Sequence, residues 1–174
     1  MAVAQVGQIV LYGTEGACRV TEICKMKVGH KREEYYVLRP VHREGATVFV
    51  PLNNELLLSK MRPLLSREEI DALIDKVGLE EPLWIEDAAE RKAEFQRILL
   101  GSEREELLRM IRALYQRRSR LRERGKHLRG SDEQMLRDAE KLLNDEFALV
   151  LEIKEREVPE YIRSRVEKSP ETDT

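Results

Sequence analysis

The hydrophobic pattern changes period once along this chain, near residues 60–66, and that change limits the folds open to it. Before it, short β-prone runs alternate with turn residues about every ten positions. After it, apolar residues recur at helical spacing to almost the last residue. Strands and helices are therefore segregated, which predicts an α+β two-domain chain rather than a parallel α/β sheet. The expected layout is a small antiparallel β barrel over 1–63, an all-α helical bundle over 66–168 and a disordered tail over 169–174.

In the first part, Ile9–Tyr12, Ala17–Lys27, Tyr35–Leu38 and Thr47–Val50 read as strands. Gly13 to Gly16, Gly29-His30-Lys31 and Glu44-Gly45 read as the turns between them. In the second part, Ser66 with Glu69 predicts a capping box opening a helix that ends at Gly78. A connector containing Pro82 follows. A second helix is expected from Ile85 or Asp87 to Leu100, with Phe95, Ile98 and Leu99 inward. Ser102 with Glu105 predicts a second capping box and a helix to about Arg124. Ser131 is expected to cap the fourth helix, and Pro159 to open a short final one.

Charge is uneven although the net value is only −2. Residues 1–63 carry +3 and the remainder −5, yet Arg109 to Arg129 holds nine Lys or Arg against the single acid Glu123. Two readings stand: a solvated helix face, or a surface whose self-repulsion is relieved by contact with phosphate.

Trp84, the only tryptophan, also has two readings. A lone tryptophan among helices usually fills a core. Its place after a proline connector, at a helix start, would let the ring project and wedge against base steps.

Catalytic patterns are not evident. No Gly-rich phosphate loop occurs, and His30, His42 and His127 sit in polar turns without a second ligand at metal spacing. Cys18 and Cys24 match no zinc or redox spacing and are expected to pack as small apolar groups. A non-enzymatic protein without cofactor or metal is therefore expected. The sequence has no long apolar run and no secretory start, which predicts a cytoplasmic protein.

Val6 to Tyr12, Gly16, Tyr35 to Leu38 and Val48 to Pro51 resemble the polymerase-interacting domain of the CarD/CdnL bacterial transcription regulators. A related domain occurs in transcription-repair coupling factor. Glu80-Glu81-Pro82 leading to Trp84, the basic third helix and Met135-Leu136 extend the resemblance to about residues 3–155.

The resemblance implies a Tudor-like barrel that pairs a strand edge with the β subunit of RNA polymerase, through Met26, Lys27, Thr47, Val48, Phe49 and Val50. It implies a helical domain that meets promoter DNA at the upstream edge of the transcription bubble. There Trp84 would wedge into the minor groove, with Arg91, Lys92, Arg117, Arg118, Arg124 and Lys126 near phosphate, stabilising the open complex. A monomer associated with the nucleoid through polymerase is expected. The alternative is a polymerase-bound adaptor whose helices bind another protein and bury Trp84.

This chain departs from the family pattern in three places; in one of them, acidic or neutral residues around Asp132 to Gln134 replace the basic side chains that some relatives use in the fourth helix. Met26 and Phe49 stand where relatives carry basic docking residues, and the acids Glu86 and Asp87 follow Trp84. A more apolar polymerase contact and weak intrinsic DNA affinity are therefore expected.

Overall fold

The computed structural model describes residues 4–168; the tail expected over 169–174 lies outside the described residues. The chain divides into two compact units between Leu64 and Leu65.

The first unit is a five-stranded antiparallel sheet ordered β4-β3-β2-β1-β5. Its strands are β1 (Ile9–Tyr12), β2 (Ala17–Val28), β3 (Lys31–Pro40), β4 (Val48–Pro51) and β5 (Met61–Pro63). The turn from β1 to β2 ends at Gly16, with φ 76° and ψ −148°, a conformation open almost only to glycine. β2 and β3 form a long hairpin closed by Gly29-His30, and the positive φ of that turn falls on the glycine.

Side chains alternate across this sheet as the pleat demands. Val10, Cys18, Val20, Tyr36, Leu38, Val50 and Met61 make its core. Tyr36 is buried with its hydroxyl satisfied, donating to the Ala4 carbonyl at 3.2 Å. β4 and β5 are the outer strands, and no ladder joins them among the described residues.

Two elements of this unit differ from expectation. A four-residue helix, α1 (Glu55–Leu58), is capped by Asn54, whose side chain accepts from the Leu57 N–H at 3.1 Å. β5 is only Met-Arg-Pro, too short for an alternating pattern, and it forms by pairing with β1.

The second unit contains α2 (Arg67–Gly78), α3 (Ala88–Gly101), α4 (Arg104–Glu123), α5 (Gly130–Leu151) and α6 (Val158–Lys168). No helix among the described residues is long and apolar enough to cross a membrane. Ile70, Ile74 and Val77 of α2, Phe95 and Ile98 of α3, and Leu108, Ile111 and Leu114 of α4 meet Leu136, Leu143 and Phe147 of α5.

The capping box of Ser66 and Glu69 is present in both directions. Ser102 differs from the expectation. Helix α3 continues through Gly101, and Ser102 takes a left-handed φ of 55° as its C-cap, its hydroxyl bonded to the Leu99 carbonyl. Glu103 holds the N-cap position of α4. Ser131 is likewise not a cap, because α5 starts one residue earlier and Arg129 stands at its N-cap.

Candidate nucleic-acid interface

Trp84 lies in the connector between α2 and α3, ahead of Asp87, whose carboxylate caps α3 through the Glu90 N–H. The ring does not project as its position suggested. It is half-buried, packs on the helical core and meets Phe95 edge-on, with centroids 6.4 Å apart and planes at 66°. Its chain neighbour Leu83 is 87% exposed instead.

Two guanidinium groups flank the indole. The Arg91 carbon is 4.5 Å from the ring centroid and the Arg117 carbon 5.4 Å, both within cation–π range. The two arginines differ in environment. Arg117 is half-exposed. Arg91 is 5% exposed, and its fork holds both carboxylate oxygens of Asp132 at 3.0 and 2.9 Å. A further donor reaches the carbonyls of Ile85 and Glu86 at 2.9 and 3.3 Å. The expectation that Arg91 reaches phosphate is thereby corrected: its donors are turned inward and spent within the chain.

The pairing had a signal in the sequence. Arg91 precedes Phe95 by four residues and Ile98 by seven, so it sits on the buried stripe of α3. Asp132 stands in the same relation to Leu136 and Ala139 of α5. Opposite charges on two core-facing stripes demand a partner, because an unpaired buried ion is costly.

The basic island also divides. At the start of α4, Arg109 grips the Glu80 carboxylate and also meets Glu105. The Arg109 guanidinium holds the Glu80 carboxyl below the usual carboxylate range. Arg112 donates to the carbonyls of Val77 and Glu80, and burial pulls its pKa down. These two cations are spent on the connector and on Glu105 rather than turned toward a phosphate.

Farther along α4 the cations turn outward. Arg120, Arg122, Arg124, Lys126 and Arg129 are exposed and form no ion pair among the described residues. Arg117 and Arg120, three apart, share one face of α4, and Arg124 follows as the C-cap of that helix, farther from Trp84. Seven helical residues span roughly 10 Å. Lys92 is exposed on α3. Arg118 stacks on Tyr115 at 4.6 Å, and the Tyr115 hydroxyl is pushed up to about 12 by burial and its bond to Glu140. Trp84, Arg117, Arg120 and Arg124 therefore make an apolar-to-basic strip, with Arg91 behind the ring.

The first unit offers a separate surface. At the open edge of the sheet, Leu52 N–H donates to the Glu34 carbonyl. Antiparallel ladders alternate, so the backbone groups of Val50 and Val48 also face β3 while those of Phe49 point away from it. The Phe49 side chain is 47% exposed and Thr47 is exposed, whereas Val48 is half-buried. Val50 is fully buried, which corrects its expected place in a side-chain contact; its side chain belongs to the core.

A bulge between Val20 and Glu22 switches the face parity of β2. Beyond it, Cys24 and Met26 lie on the same face as Tyr35, Phe49 and Pro51. That face carries an apolar strip beside an open strand edge, bordered by Glu22 and by Glu33, which accepts from the Tyr35 hydroxyl, with exposed Lys27 on the other face of β2. Sequence reasoning did not anticipate Cys24 or Tyr35 there. Both cysteines are free; Cys18 is in the core and Cys24 half-buried.

Residues 5–64 match the family model of the CarD-like/TRCF RID domain. No curated protein matches the chain.

Proposed function

We propose that this chain, whose residues 5–64 are a CarD-like/TRCF RID domain and which is consistent with a CarD/CdnL-family protein, regulates transcription initiation from RNA polymerase. The domain type implies polymerase interaction and a transcription-related role, and that match carries the reading. The β4 edge and the Phe49 strip pair with a strand of the β subunit, within a small Tudor-like barrel. The helical unit meets promoter DNA near the upstream edge of the melted region. Trp84 packs there against a distorted minor groove, Arg117, Arg120 and Arg124 track phosphate, and the open complex gains lifetime. The protein binds and does no covalent chemistry.

Tethering explains how weak DNA contacts suffice. A factor held on polymerase meets promoter DNA at high effective concentration. Glu86 and Asp87 beside Trp84 repel phosphate in free encounters, and Glu86 and Asp87 are both exposed. The half-buried state of Trp84 favours the adaptor alternative, in which the helices bind a protein and the indole stays packed.

The two readings separate on one measurement, the lifetime of the holoenzyme–promoter open complex with the full chain present. Trp84→Phe keeps apolar packing and Trp84→Ala removes it. On the DNA reading the lifetime gain shrinks in that order while helicity is retained. It also falls as salt rises, and Arg124→Gln lowers the salt slope by about one. An undiminished gain with folded Trp84→Ala sinks the wedge and leaves the adaptor.

A further inference from the structure

The pair Arg91 and Asp132 has geometry beyond what stability alone needs. One buried guanidinium touches three parts of the unit at once. Its fork grips Asp132 of α5, a third donor holds the connector carbonyls of Ile85 and Glu86, and its central carbon lies over the Trp84 ring, 4.5 Å from the ring centre. Its own backbone N–H donates to the carbonyl of Asp87, the cap of α3. The residues that follow Trp84 are thus tied to Arg91 at successive positions.

We infer that Arg91, oriented by Asp132, is a positioning residue for Trp84. The bidentate pair fixes the plane of the guanidinium, because both oxygens of the carboxylate are used. A fixed plane then fixes the indole stacked against it and the backbone just after it. Arg117 differs: it lies farther from the ring, is half-exposed and has no such anchor among the described residues, so it can leave the ring for a phosphate. Arg91 remains behind. The ring has one clamped neighbour and one releasable neighbour, which suits a side chain that must keep its orientation while its outer surface changes partner. A lysine in place of Arg91 retains the charge but has neither the planar face nor the fork. The functional part of this inference rests on the reading of Trp84 as a DNA contact; the positioning part does not.

The test uses the full chain, in which Trp84 is the only tryptophan and so reports alone. Acrylamide quenching and anisotropy of Trp84 emission are measured for Arg91→Lys and for the double variant Arg91→Met/Asp132→Leu. The double variant removes both charges together, so no ion is stranded. Quenching that rises and anisotropy that falls in the double variant, with a smaller change in Arg91→Lys, is the expected result. Wild-type quenching and anisotropy in a cooperatively melting double variant would overturn it. If the double variant does not melt cooperatively, Arg91→Lys decides: unchanged emission overturns the inference and increased quenching supports it.

The second arm is the open-complex lifetime. The double variant is expected to lose as much of the lifetime gain as Trp84→Ala does. A full gain in a double variant with a loosened indole overturns the functional part, provided Trp84→Ala loses it. If Trp84→Ala loses nothing, the DNA reading fails, and the quenching result alone still decides whether Arg91 positions the ring.

Discussion

Replacing Asp132 by alanine tests how dry the centre of the helical unit is. The side chains of Asp132 and Arg91 are each 6% exposed, and their contact is bidentate. Removing one partner of a buried pair costs about 3–5 kcal/mol, because the other charge stays out of water. One feature places this case near the lower end of that range. Arg91 keeps the carbonyls of Ile85 and Glu86 and the face of Trp84. Against that, Asp132 stands in the first turn of α5, where an anion meets the helix dipole and adds about 0.3–1 kcal/mol. A loss of about 3 kcal/mol is therefore expected, which for a unit of this size lowers Tm by roughly 12 °C or more. Urea unfolding followed by far-ultraviolet circular dichroism measures it, since Trp84 emission is itself perturbed by the change. The double variant Arg91→Met/Asp132→Leu should fall far less, because two apolar side chains replace two ions. A loss below about 1 kcal/mol for Asp132→Ala, the range of solvated surface pairs, refutes the reasoning.

Ser66→Ala removes one half of the capping box on α2 and should cost about 1 kcal/mol, read as a lower urea midpoint at unchanged slope. In the first unit, Phe49→Ser should weaken binding to the polymerase β subunit with little change in melting, whereas Val50→Ala should lower the melting temperature, because Phe49 is half in water and Val50 is wholly in the core; equal melting losses would contradict the assignment of faces. Acid should loosen the helical unit. Glu80 and Glu94 have pKa values below 4.5, held down by Arg109 and Arg97, so their stabilisation is complete above pH 4.5 and is lost as pH falls through the lowered values. Both side chains are more than a third exposed, so each effect is small, and a melting temperature identical at pH 7 and about pH 3 would remove these pairs from the account.

Periodicity made most of this fold legible, because strand and helix spacing are set by the backbone. Ser66, followed by Glu69 and then Ile70, contains a complete helix start. Ser102 has the same local pattern with Glu105 and does not act on it, since the preceding helix continues to Gly101 and claims the serine for its own end. Local patterns cannot decide which of two helices owns a shared residue. The candidate site was less legible for a related reason. Arg91 looked like a surface cation because its partner, Asp132, is 41 residues away. Trp84 was placed correctly between α2 and α3, but its half-buried state depends on Phe95 and on arginines from two helices. Met26 and Phe49 were found, whereas Cys24 and Tyr35 join them only through cross-strand register.

The bulge at Thr21 and Glu22 gives the first unit slack of one residue. Two residues of β2 stand opposite Val37 there, and the Thr21 hydroxyl fastens the irregularity by donating to the Val37 carbonyl. Deleting Thr21 would leave every other amino acid of the hairpin in place and could still permit both strands to pair. It would remove the irregularity and keep the pairing, with Ile23 opposite Tyr36 and Cys24 opposite Tyr35, so Cys24 and Met26 would stay on the side of Phe49. The loss of that one residue would therefore spare the composition of the strip and act on the extra twist and bend that a bulge gives its strand, changing how the hairpin is aimed rather than what it displays.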